Sequence, residues 1–221
     1  MAVLSNTGIR AGASGAGGAA AGYQVANSLR FNPADTPDLV RTFGTGNRKT
    51  WTWSAWMKLD LSNGTHSTTF GTNSANNNSS TFVFNFTHSP TYAYFNISQY
   101  TATPAAWSRL YRDPSAWFHF VVALDTTQST ANDRIKIYIN GVRDENISTN
   151  NIASTIAQNS DQGVNLPEKH YIGRYGELWS GQYTNGYMAD IHMVDGLALD
   201  PTSFAEEDED TGQWVPKEYT H

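Results

Sequence analysis

The segment Thr50-Trp51-Thr52-Trp53-Ser54-Ala55-Trp56-Met57-Lys58 constrains the fold more than any other part of this chain. Its large apolar and small polar residues alternate one by one. Trp51, Trp53 and Ala55 fall on one face and Thr50, Thr52 and Ser54 on the other. A period of two belongs to an extended strand with one face buried, because successive side chains of a strand point to opposite sides.

The same pattern recurs along the chain. Strands are predicted at 28–31, 81–86, 92–97, 117–124, 134–140, 170–173 and 186–194, with Asn, Gly, Ser and Asp clusters between them that supply turns. Asn140-Gly141 follows Ile137-Tyr138-Ile139 and precedes Val142, a strong hairpin signal. No segment carries a long helical period. One short helical turn is predicted at 201–204, with Asp200 as its cap and Pro201 at its first position. Many short strands with turns about every ten residues predict an all-β, two-sheet antiparallel sandwich of the jelly-roll type. The 7 tryptophans, 11 tyrosines and 10 phenylalanines suit sheet-on-sheet packing.

Composition narrows the partners. Charged residues are 15% of the chain, against about 25% in ordinary soluble domains, so Ser, Thr, Asn and Gln must coat much of the surface. The formal net charge is -6 with no basic stripe, so no nucleic-acid partner is expected. With no cysteine, disulfides and thiolate metal sites are excluded. No apolar run reaches about 18 residues, so no helical membrane span is expected. The first residues lack a charged region followed by an apolar stretch, so no classical signal peptide is expected either.

Residues 1–22 differ from the rest. From Ala11 to Gly22 nearly every residue is Gly, Ala or Ser, which cannot pack a core, and Val3, Leu4 and Ile9 precede that tract. The expectation is an N-terminal arm at 1–22 that tethers a sandwich at 23–221 to something larger.

Six segments then carry a resemblance: SLRFN at 28–32, GNRKTWTWSAWMK at 46–58, DPSAWFHFVVALDTTQ at 113–128, RIKIYINGV at 134–142, YIGRYGE at 171–177 and the long run at 186–219. In these the chain resembles concanavalin A-like, laminin-G-like jelly-roll domains of marine bacteriophage appendage proteins. The resemblance implies a virion structural protein, as a head decoration, head fibre or tail appendage, with a free carbohydrate-binding lectin as the alternative and a glycan hydrolase behind it. It implies location on the particle surface and attachment to host surface glycans. It also implies contact with other virion proteins through the arm, and assembly as a homo-oligomer, with a trimer expected.

Several residue groups were weighed as sites. The acidic run Glu206-Glu207-Asp208-Glu209-Asp210 invites a glucanase reading, since paired carboxylates serve glycoside hydrolysis. Thr211 stands where such a strand needs its last Glu, and no apolar residues alternate with the acids, so a solvated acidic loop is expected and no catalytic residue is assigned. The six histidines show no zinc spacing. No cofactor is expected beyond calcium, which many superfamily members hold, and for that ion Asp190 and Asp195 are the candidate ligands. Sugar binding calls for an aromatic platform beside amides and carboxylates. The segment 175–185 has that composition, with Tyr175, Glu177, Trp179, Tyr183 and Asn185 as the candidate ligand-binding residues, and the polar loop 73–80 near His66 has it too. Trp51, Trp53, Phe118 and Phe120 are expected in the core.

Overall fold

A computed structural model describes residues 23–63, 66–73, 77–78, 80–89, 91–177 and 181–220. The expected arm at 1–22 therefore lies outside the described residues. In chain order the strands are β1 (Leu29–Phe31), β2 (Leu39–Thr42), β3 (Thr50–Leu59), β4 (His66–Asn73) and β5 (Thr81–Ser89). Next come β6 (Tyr92–Ser98), β7 (Ala105–Trp107), β8 (Phe118–Asp125), β9 (Ile135–Ile139) and β10 (Val142–Arg143). Last are β11 (Ile147–Asn150), β12 (Lys169–Ile172), β13 (Gly186–Asp195), β14 (Ala205–Glu207) and β15 (Trp214–Pro216).

These form a six-stranded sheet in the order β1-β13-β3-β8-β9-β10 and a seven-stranded sheet in the order β11-β7-β6-β5-β4-β12-β2. The strands β14 and β15 form a separate hairpin. All pairings are antiparallel. The two-sheet antiparallel sandwich expected from the alternation is the fold observed.

Alternation explains the core. Trp51, Trp53, Met57, Phe120, Val122 and Leu124 point inward from the six-stranded sheet. Phe82, Phe84, Phe86, Phe95 and Trp107 point inward from the seven-stranded sheet. Phe95 and Phe120 meet across the interface with ring centroids 4.6 Å apart at 66°, a favoured edge-to-face arrangement. Each such side chain contributes about 1.5–3 kcal/mol by leaving water. The expected hairpin is also present: Asn140 and Gly141 both have positive φ, at 48° and 82°, as a two-residue primed turn requires. Asp200 accepts a hydrogen bond from Thr202 N at 2.9 Å and caps a one-turn helix at Pro201–Ser203.

One expectation needs correction. The strand β3 is not half-buried, because its second face is covered as well. The chain after β13 folds back over Thr52, Ser54 and Trp56. Thr52 Oγ1 donates to Leu197 O and accepts from Leu199 N, both at 2.7 Å. Trp56 packs with Val25, Ala189 and Ala205. The acidic run ends β14 and enters the β14–β15 turn: Asp208 Oδ1 accepts from Thr211 N at 2.9 Å, and Glu206, Glu207, Glu209 and Asp210 are exposed. A solvated acidic segment was expected there, although its strand pairing was not.

Candidate functional site

The inward face of the seven-stranded sheet is phenylalanine, so the alternate residues of the same strands must face outward. Strand register lines them up. Thr149 on β11 lies opposite Ala106 on β7, Ala106 opposite Asn96 on β6, Asn96 opposite Asn85 on β5, and Asn85 opposite Thr68 on β4. A second row, two residues along, joins Tyr94, Thr87 and His66. Four strands thus lay polar side chains across the sheet, with Ala106 of β7 between them.

These side chains bond to one another in a directed chain. Thr68 Oγ1 donates to Asn85 Oδ1 at 2.8 Å. Asn85 Nδ2 donates to Ser98 Oγ at 3.0 Å, and Ser98 Oγ donates to Asn96 Oδ1 at 3.1 Å. Asn96 Nδ2 donates to Thr87 Oγ1 at 2.7 Å, which also meets His66 Nδ1 at 3.1 Å. The chain holds the floor rigid, since each amide is fixed by a carbonyl and an amino contact at once. Burial lowers the pKa of His66, so its imidazole is neutral at pH 7.

Walls rise around this floor and enclose a groove of about 700 Å³. One wall is the turn at 99–102, closed by Gln99 N donating to Ala102 O at 2.8 Å. Thr101 N donates to Asn78 Oδ1 at 2.8 Å, which pins that turn to the neighbouring loop and presents Tyr100 to the groove. The other wall is the segment 173–175, which crosses the outer face of β4 at Gly71. A Cβ at Gly71 would stand 2.3 Å from Tyr175 O, so only glycine admits the crossing. Tyr94, Tyr100 and Tyr175 line the groove beside the amides.

The residues picked out in 175–185 are separated by the fold. Tyr175 lines the groove. Tyr183 bridges to Arg174, whose guanidinium carbon lies 5.8 Å from the Tyr183 ring centroid. Glu177 is exposed and pairs with Lys169 Nζ. Asn185 is buried: its Oδ1 accepts from Arg30 at 3.0 Å and its backbone N donates to Ser67 Oγ at 3.2 Å, so it ties β13 to the sandwich. Trp179 lies outside the described residues. His66 does line the groove. Asn85, Thr87, Tyr94, Asn96 and Ser98 were not singled out in the sequence, although they form the floor.

The calcium candidates hold different partners. Asp190 Oδ1 accepts from Tyr23 OH at 2.9 Å and from His192 Nε2 at 3.0 Å. Asp195 Oδ1 accepts from Asn47 N and Asn165 Nδ2, both at 2.8 Å, and anchors the turn before β3. Among the described residues, no three His, Asp or Glu side chains gather closely enough to hold a metal ion. No helix among them is long and apolar enough to cross a membrane. A second recess of about 480 Å³ opens beside β2, where half-buried Ile191 and Met193 lie with the buried Trp53 and Phe70.

A histidine dyad lies behind the six-stranded sheet. His119 Nε2 meets Ser54 Oγ at 2.8 Å, and Trp214 Nε1 donates to His119 Nδ1 at 3.1 Å. The indole N–H can only donate, so Nδ1 accepts and Nε2 carries the proton toward Ser54. This polarity is the reverse of a general base on serine, and Ser54 is buried. Burial pushes the His119 pKa down to about 3.

A two-sheet jelly-roll sandwich of this order has the architecture that lectins and glucanases share. The chain belongs to the concanavalin A-like lectin/glucanases superfamily, whose laminin G-type model matches residues 26–202. No curated protein sequence matches the chain. Among solved structures, a pentraxin from Limulus polyphemus superposes with a TM-score of 0.50 at 13% identity, over 71% of this chain and 69% of that one. Tailspike protein 2 of an Escherichia coli O157:H7 bacteriophage gives 0.53 at 11% identity, over 81% of this chain and 24% of the tailspike. Domains LG4-5 of the mouse laminin alpha1 chain give 0.50 at 10% identity, over 96% of this chain and 48% of theirs. At these identities the likeness concerns the fold.

Proposed function

We propose that the groove on the seven-stranded sheet binds a polysaccharide, and that the chain is a glycan-adhesive structural protein on the surface of a phage particle. The floor of Asn85, Thr87, Asn96 and Ser98 with its flanking tyrosines carries the binding reading. Sugar hydroxyls both donate and accept, which matches a floor of amides and hydroxyls, and a pyranose face stacks on tyrosine. The superfamily includes lectins and glucanases, and a tailspike shares the sandwich.

Binding without cleavage is the version the groove favours. Glycoside hydrolysis uses two carboxyl groups about 5–9.5 Å apart, and no Asp or Glu lines the groove among the described residues. In the particle, residues 1–22 serve as the tether to other virion proteins, and a homo-oligomer such as a trimer multiplies weak sites into avid attachment.

Two experiments test this. Glycan-array binding followed by product analysis should show retention with no new reducing ends, and Asn96→Ala should reduce retention at least about tenfold while its two lost side-chain hydrogen bonds cost about 1–3 kcal/mol of stability. Retention that survives both Asn96→Ala and Tyr94→Ala would move the site elsewhere. Immunogold labelling of purified particles should decorate their surface. Unlabelled particles would return the chain to a free lectin.

A further inference from the structure

The charge pattern of the groove carries more than its shape. The chain has 20 acidic and 14 basic residues, yet among the described residues no Asp, Glu, Lys or Arg lines the groove. The interior residues outside the description are Gly64, Thr65, Ser74, Ala75, Asn76, Ser79, Pro90, Leu178, Trp179 and Ser180, and none is charged. They therefore cannot supply an ion to the site.

The remaining chemistry is amphoteric. The floor is a chain of donors and acceptors in turn, from Asn85 through Ser98 and Asn96 to Thr87, with the buried Thr68 donating to Asn85. Asn85 and Asn96 each use one of two amino hydrogens in this chain. A sugar hydroxyl can meet either kind of group, whereas a carboxylate, sulfate or phosphate oxygen accepts only and must also leave water with no cation to receive it.

From this we infer that the groove selects uncharged polysaccharides and discriminates locally against glycans that carry carboxylate, sulfate or phosphate groups. The inference rests on the groove being the glycan site. The penalty is set inside the groove, by lost hydration, and not by the overall charge of the protein. These two origins differ in salt dependence, because a long-range repulsion between exposed charges is screened at high ionic strength while local desolvation is not.

The test uses the full chain and matched polymers. A neutral polysaccharide retained on the array is converted to its carboxymethyl derivative and, as a bulk control, to its hydroxyethyl derivative. Affinities are measured in about 0.05 M and about 0.5 M sodium chloride. The hydroxyethyl polymer should bind within about threefold of the parent, and the carboxymethyl polymer at least about tenfold more weakly at both salt concentrations. Equal binding of the carboxymethyl polymer, retention of acidic glycans alone, or a penalty that vanishes at high salt overturns the inference and leaves glycan binding standing. Retention of no glycan at all removes the glycan site and this inference with it.

Discussion

Acidification should destabilise this sandwich through His119 before its carboxylates respond. The ring is almost fully buried between Trp56 and Trp214, with centroids 5.2 Å from Trp56 and 6.2 Å from Trp214. Burial is the main cause of its lowered pKa; nearby Asp190 opposes that shift and His192 adds to it. The folded value is about 3 against 6.5 for a free imidazole, so the unfolded chain takes up a proton that the folded chain refuses. The His119 contribution is thus complete above pH 6.5 and is lost progressively from there down to about pH 3. One proton changes stability by about 1.4 kcal/mol per pH unit, so the step from pH 6.5 to 5 costs about 2 kcal/mol. Buried His66, His88 and His170 shift the same way and add to the total, so the variant comparison matters more than the wild-type slope. Urea unfolding followed by tryptophan fluorescence at pH 7.5, 6.5, 5.5 and 5.0 should show His119→Gln losing about one proton less of stability per pH unit than wild type. Gln sets its amide N–H where Nε2 stands and so keeps a donor toward Ser54. Nuclear magnetic resonance titration of the wild-type ring gives a second reading, with no protonation above pH 4. Parallel pH dependences for wild type and variant, or a ring that titrates near 6.5, would refute the reasoning.

Three further outcomes follow from other contacts. Gly71→Ala should lower stability by about 2 kcal/mol and weaken glycan retention together, since the added Cβ drives Tyr175 off the groove wall; an unchanged melting temperature would mean that the 173–175 crossing is looser than 2.3 Å implies. Trp214→Phe removes part of the indole's packing and leaves His119 Nδ1 buried without its donor, at a cost of about 1–3 kcal/mol or more in urea unfolding, and a loss under about 0.5 kcal/mol would count against the assigned tautomer. Deleting residues 1–22 should leave the melting temperature within a degree or two and abolish incorporation into particles, while normal incorporation would refute the tether.

The fold was legible because its signal is local. Trp51 and Trp53, Phe118 and Phe120, and the Asn140-Gly141 turn each announce their geometry within a few residues, and the structure places all of them as expected. What failed was anything that depends on a distant segment. Thr52 and Ser54 read as solvent-facing because small polar residues alternate with tryptophan. They are buried because Leu197, Leu199 and Trp214 return from the far end of the chain to cover them. Likewise, Ala205–Glu207 and Trp214–Pro216 carry no alternation long enough to reveal a hairpin.

The groove illustrates the same limit from the functional side. A composition search favours a contiguous run of aromatics and amides, which is why 175–185 stood out, yet only Tyr175 and Gln182 of that run line the groove among the described residues. The floor collects single residues from β4, β5, β6, β7 and β11, spaced 17, 11, 10 and 43 positions apart from Thr68 to Asn85, Asn96, Ala106 and Thr149. Half of the signal was present: in Phe82-Val83-Phe84-Asn85-Phe86-Thr87 the phenylalanines claim the core, so Asn85 and Thr87 must face away from it. The other half is register, because a slip of one residue in β6 would set Phe95 or Ile97 opposite Asn85 and break the amide chain. A binding surface written across strands therefore becomes visible only once their pairing is known, and its neutrality is visible only when every contributor has been assembled.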